Sequence, residues 1–224
     1  MAPIRRLVEA LLRFGLRRTF RRVCWVGDWP PSLPDGPVIA YANHHHFYDG
    51  HLAWLLFPRR LNRPSTIWMA DWERAPFFAA IGAQPFPDDD PARRAATLRR
   101  TARRFQAHPR TVLVYYPEGT LHAPDEGLCA FNESAIRRLA RLYPDATWWP
   151  YAVHVTWRGE AQPTALLTGG MPHDPDGEER ARLQRLLATL RDSPTPTTTL
   201  LRGHRSFEEQ WDLSLLSSFF ERYL

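Results

Sequence analysis

The chain contains no lysine; all 29 of its basic side chains are arginine. Chemistry that needs a lysine amine, such as Schiff-base formation or the P-loop phosphate contact, is therefore excluded. Guanidinium groups suit bidentate phosphate contacts, and GC-rich coding produces the same bias. Cysteine is scarce too. Two residues, Cys24 and Cys129, do not make a disulfide framework and fit a reducing compartment. Long apolar runs are also missing. Beyond the N-terminal segment the longest, Leu52 to Phe57, has six residues, against the roughly 20 needed to span a bilayer. No internal repeat is visible, and the 21 prolines are too scattered for a low-complexity segment.

What is present describes a folded chain of 224 residues, a length suited to one domain with a short appendage. A hydrophobic share of 44%, with 9 Trp, 12 Phe and 7 Tyr, supplies a core and excludes a disordered chain. The net charge is +5. Its densest part is the N-terminus, where Arg5, Arg6, Arg13, Arg17, Arg18, Arg21 and Arg22 stand against one acid, Glu9. Glu9 and Arg13 interrupt the apolar stretch that a signal peptide would require. On a helix, Ile4, Leu7, Val8, Leu11 and Phe14 share one side and Arg5, Arg6 and Arg13 the other. That pattern has two readings: an interfacial anchor to anionic lipid, or a helix docked on its own domain. The expected organisation is a basic amphipathic helix and linker over 1–30, followed by one domain over 31–224.

The remainder alternates strand and helix. Strands are expected at Pro37–Asn43, Thr66–Ala70, Ala83–Phe86, Thr111–Tyr116, Trp148–Val155 and Ala165–Thr168. Helices are expected at Gly50–Phe57 (closed by Pro58), Trp72–Ile81, Pro91–Gln106, Asn132–Leu142, Glu178–Arg191 and Phe207–Tyr223, with Ser193–Thr199 as a linker. This alternation predicts an α/β fold with a mostly parallel central sheet flanked by helices. In such sheets sites gather at the carboxyl ends of strands, which directs attention to the residues after Asn43 and after Tyr116.

The first of these segments is Asn43-His44-His45-His46-Phe47-Tyr48-Asp49. A carboxylate five residues after His44, across the start of a helix, can fix the imidazole tautomer and make the histidine a general base. The second is Tyr116-Pro117-Glu118-Gly119-Thr120, where Pro117 stops the strand and Gly119 permits a tight turn. Either alone has a plain structural reading. Together, 74 positions apart, they resemble the glycerolipid and lysophospholipid O-acyltransferase superfamily, which carries His-x4-Asp followed downstream by Phe-Pro-Glu-Gly-Thr. Ala75-Pro76 with Ile81-Gly82, and the apolar strand around Pro150, are similar to two weaker family motifs. The four features span Val38 to Val155, about half the chain.

The resemblance implies transfer of an acyl group from acyl-CoA or acyl-carrier protein, as co-substrate rather than bound cofactor, to a lipid hydroxyl. It implies His44 as general base, Asp49 as its orienting carboxylate, and Asn43, Glu118, Gly119 and Thr120 around the acceptor, with no metal. It also implies a peripheral enzyme on the cytoplasmic face of the membrane. The sequence departs from the family where its members contact a phosphate. Leu121 and His122 follow the Glu-Gly-Thr in place of Arg and Ser, and Asp88-Asp89-Asp90 stand where a second Arg is expected. Arg93 and Arg94 lie just beyond and are candidate replacements. A neutral lipid, glycolipid or other hydroxyl acceptor is the resulting expectation. On the helix Pro91–Gln106, Arg93, Arg100 and Arg104 form either a contact for donor phosphates or a solvated face.

Two other readings remain open at this stage. His44, His46, Asp49 and His51 are spaced nearly as in a zinc hydrolase. A basic, non-catalytic membrane-binding module is the third. No nucleic-acid partner is expected, because no recognised nucleic-acid motif is present and the arginines are dispersed.

Overall fold

In a computed structural model, which describes residues 2–31, 33–192, 194–205 and 209, one eight-stranded sheet organises the chain. The elements are α1 (Ala2–Thr19), β1 (Arg22–Trp25), β2 (Val38–Tyr41), α2 (Asp49–Trp54), β3 (Ser65–Met69), β4 (Ala83–Pro85), α3 (Pro91–Ala107), β5 (Val112–Tyr115), α4 (Glu133–Leu142), β6 (Thr147–Thr156), β7 (Thr164–Gly169), α5 (Glu179–Arg191) and β8 (Thr198–Arg202). The strand order is β4-β3-β5-β2-β6-β7-β1-β8. Pairing is parallel except at β6–β7 and β1–β8. The α/β fold with a mostly parallel sheet flanked by helices is as expected. Among the described residues no helix is long and apolar enough to cross a membrane.

The pleat of β2 shows how the sequence fills both faces. Val38, Ala40 and Ala42 point into a core with Val8, Leu12 and Leu16 of α1 and Leu52 of α2. Ile39 and Tyr41 point the other way, toward Phe105, Ile136, Leu139, Leu183 and Leu187 of α3, α4 and α5. A strand buried on both faces needs a continuous apolar run, and Val-Ile-Ala-Tyr provides one. Asn132 caps α4 by accepting from Ala135 N at 3.0 Å. Asp90 caps α3 by accepting from Arg93 N at 2.8 Å, with Pro91 in the first turn.

Four expectations are corrected. Trp72–Ile81 is two short 3₁₀ segments, Trp72–Arg74 and Pro76–Ile81, because Pro76 drives Ala75 out of the helical region to φ −149°. Pro58 does not close its helix; α2 continues into a wide π-helical stretch, Leu55–Arg60, that accommodates the missing N–H. The end of the expected linker at Ser193–Thr199 enters β8. The division at residue 30 is no break in packing, since α1 belongs to the core and β1 lies between β7 and β8. The expected helix Phe207–Tyr223 lies outside the described residues.

The N-terminal helix is docked on its own domain along one side and leaves a second apolar side exposed. Val8, Leu12 and Leu16 are buried against the sheet, whereas Ile4, Leu7, Leu11 and Phe14 form an exposed stripe, each 55–61% accessible. Val8 therefore faces inward and does not share the side expected for it with Ile4, Leu7, Leu11 and Phe14.

Candidate active site

Parallel register brings the two motifs together. β2 and β5 pair with Tyr41 opposite Tyr115, and Ala42 N donates to Tyr115 O at 3.1 Å, so the segments after Asn43 and Tyr116 leave the sheet side by side. His44 Nδ1 lies 3.0 Å from Asp49 Oδ2. A carboxylate only accepts, so Nδ1 carries the proton and the Nε2 lone pair is left for chemistry. The same Oδ2 accepts from His46 N at 2.9 Å, and the Asp49 side chain is 1% exposed. The His44 ring stacks on Tyr116, with centroids 4.2 Å apart, and keeps 25% of its side-chain surface accessible. Burial, together with the Asp49 charge, holds the phenols of Tyr116 and Tyr151 protonated by pushing both above the ordinary range.

His44 opens onto a cleft of about 660 Å³ along the carboxyl ends of β3 and β5. Trp68 and Phe86 stack at 4.6 Å on one wall, with Leu98 and Tyr115 beside them; Arg94 and Arg138 bring positive charge. Arg94 donates to Asp88 O at 2.8 Å and lies 3.8 Å from its carboxylate. Arg93 turns away to Glu73 at 2.7 Å and does not line the cleft. Within the acidic run, Asp88 thus partners Arg94 while Asp90 caps α3.

Two expected acceptor-binding residues have other employment. Asn43 is fully buried, and its amide makes a reciprocal pair with Val153 N and O at 2.9 and 2.8 Å, tying the end of β2 to β6. It has no surface to offer a substrate. The Glu118 side chain is likewise fully buried. Its Oε1 accepts from His44 N at 2.8 Å, and its Oε2 accepts from Cys129 N at 2.7 Å and meets His122 Nε2 at 2.6 Å. Glu118 is a positioning residue that clamps the His44 backbone to the 118–129 loop. Gly119 turns that loop at φ +73° and, with Glu118, lines the cleft. Thr120 is exposed and bonds only weakly, to Leu121 O at 3.5 Å.

His45 and His122 were not singled out as site residues, and both belong to this clamp. Asn43 Nδ2 lies 3.1 Å from His45 Nδ1, and His45 Nε2 is 2.9 Å from Gly127 O. The i,i+4 spacing of Glu118 and His122 is the sequence signal that could have found it. Potential metal-ligand atoms of His45, Glu118 and His122 lie within 4.8 Å of one another, as do those of His173, Asp176 and Glu179. The alternative zinc arrangement of His44, His46, Asp49 and His51 does not assemble. His46 Nδ1 accepts from Tyr48 N at 3.2 Å, while the His51 ring packs among Phe47, Tyr48 and Phe78. Burial, with His46 adding to it, depresses His51 to about 4. Burial also lowers His45 and His46, against the opposing charges of Glu118 and Asp49.

No family model, curated protein or solved structure matches this chain.

Proposed function

We propose that the chain is an O-acyltransferase that moves an acyl group from a thioester donor, acyl-CoA or acyl-carrier protein, to a lipid hydroxyl. The observation that carries the reading is the His44–Asp49 pair at 3.0 Å, with its ring exposed at the edge of an aromatic cleft. In the forward step, His44 Nε2 takes the acceptor proton as the oxygen attacks the thioester carbonyl. The tetrahedral intermediate collapses, the C–S bond breaks, and the departing sulfur takes the proton from the imidazolium. Asp49 stabilises that imidazolium, as a triad carboxylate does. The nucleophile belongs to the acceptor, so no acyl-enzyme forms.

The exposed stripe of α1 supports a lipid surface as the place of work. Ile4, Leu7, Leu11 and Phe14 are flanked by arginines, the composition of a helix that lies in an anionic interface. Leu7→Ser combined with Leu11→Ser should reduce sedimentation with anionic vesicles without lowering the melting temperature.

Release of CoA from a panel of acyl-CoA donors, measured with phosphorylated and neutral hydroxyl acceptors, tests the chemistry. His44→Ala should lower the acceptor-dependent rate by about 10³-fold or more. Equal release by wild type and His44→Ala sinks the assignment. A neutral acceptor follows from the acidic run and from Leu121 at the expected phosphate positions; equal rates on phosphorylated and neutral acceptors would overturn that part alone.

A further inference from the structure

A second pocket, of about 580 Å³, lies at the amino ends of β3, β4 and β5, across the sheet from the His44 cleft. It is walled by the start of α1, the residues before β3, the turn into β4 and the end of α3. Four arginines line it, Arg5, Arg63, Arg104 and Arg110, against one carboxylate, Glu9. Glu9 is already committed, since Arg5 meets it at 3.0 Å and Arg59 at 3.8 Å. Arg63 is buried and donates to three carbonyls, of Arg110, Pro34 and Gly36, at 2.6–2.7 Å. Arg63 is therefore part of the wall.

Arg104 is different. It is half-buried, and among the described residues its guanidinium donates only to Ser65 O, at 3.2 Å, and pairs with no carboxylate. Burial and the nearby Arg5 both weaken its hold on its proton. Gly82 makes room for it, because a Cβ there would lie 2.3 Å from Ser65 O and 3.3 Å from the Arg104 guanidinium. Arg110 is exposed, and its charge bears on Arg63. A chain that gathers guanidinium groups in a concave site, and leaves one desolvated without a counter-charge, accepts a cost that an anion removes.

We infer that this pocket is a phosphoryl-binding site, separate from the His44 cleft, in which Arg104, Arg110 and Arg5 close on one anionic group. Planar guanidinium forks match phosphate oxygens bidentately. The volume exceeds what a bare phosphate needs and leaves space for the organic part of a phosphate ester. The phosphoryl group comes either from a lipid headgroup or from a compound free in solution. The exposed apolar stripe of α1 begins at Ile4, beside Arg5, which favours the headgroup.

The test uses the full chain and two probes: inorganic phosphate by calorimetry, and phosphatidylcholine vesicles with or without phosphatidylglycerol by sedimentation. Arg110→Ser, an exposed substitution, should weaken anion binding about tenfold, and Arg104→Gln at least as much. Arg99→Gln removes the same charge from an exposed position of α3 outside the pocket and should change nothing. Loss of phosphatidylglycerol-dependent sedimentation in the pocket variants identifies a headgroup. Weakened phosphate binding with unchanged sedimentation identifies a free phosphate compound. The inference is overturned if wild type binds neither probe, if Arg110→Ser binds both as wild type does, or if Arg99→Gln loses as much. The readout is binding, so it stands or falls independently of acyl transfer at His44.

Discussion

The two ends of the sheet handle buried charge in opposite ways. At the carboxyl end, Asp49 meets His44 and the His46 N–H, and Glu118 meets His44 N, His122 and Cys129 N. At the amino end, Arg104 has a single carbonyl among the described residues and shares its pocket with three other arginines and one carboxylate, Glu9, which Arg5 and Arg59 already meet. A charge enclosed by its own chain fixes geometry; a charge left open on one side awaits a ligand. The first end therefore resembles a set of rigid fixtures around a reactive nitrogen, and the second a receptor.

The contrast can be broken by removing charge from each end in turn. The largest effect is expected from Glu118→Gln. Its amide would set an N–H either against His44 N or against Cys129 N and His122, and leave a buried group unsatisfied, costing about 1–3 kcal/mol in denaturant unfolding. The displaced His44 backbone should also lower acceptor-dependent turnover about 10- to 100-fold, because small errors of placement are costly in rate. Stability and turnover matching wild type would show that the clamp has no role.

Acid comes next. His51, depressed to about 4 by burial and by His46, is neutral when folded and charged in the unfolded chain between about pH 4 and pH 6.5. The unfolded state binds more protons in that window, so stability should fall as pH drops from 6.5 toward 4. His45 and His46, also lowered, act in the same direction. Melting temperatures across pH 4–7 for wild type and His51→Gln check this; the variant should show the shallower decline. The smallest effect belongs to the amino end. Arg110→Ser should change the unfolding free energy by less than about 0.5 kcal/mol in phosphate-free buffer. A large loss there would mean that the arginines already have partners and that the two ends are alike.

The readable parts of the sequence were those governed by one local pattern. β2 and β5 are uninterrupted apolar runs, so their burial on both faces was evident. Asn-His-x4-Asp and Pro-Glu-Gly-Thr sit directly after them, so the two motifs were legible at strand ends and the His44–Asp49 pair in its spacing; that Glu118 holds His44 N rather than an acceptor was not. β1 was missed because Arg-Val-Cys-Trp is four residues long and starts on a charge, and it is held by β7 and β8, far away in sequence. The role of Asn43 depends on Val153, 110 residues on. The Arg104 pocket draws on several separate segments, and no single window of sequence displays it.

The end of α1 carries a mechanical consequence. Phe20, just beyond the helix, is fully buried, with its ring 5.6 Å from His46 and 5.8 Å from Tyr48; Gly15 leaves space beside the Tyr48 ring. The loop carrying His44 and Asp49 therefore rests on this segment as a shelf rests on a bracket. The helix is no tether to be trimmed away. Because Phe20 meets both His46 and Tyr48, a substitution that shifts the end of the helix should also shift the loop that holds His44.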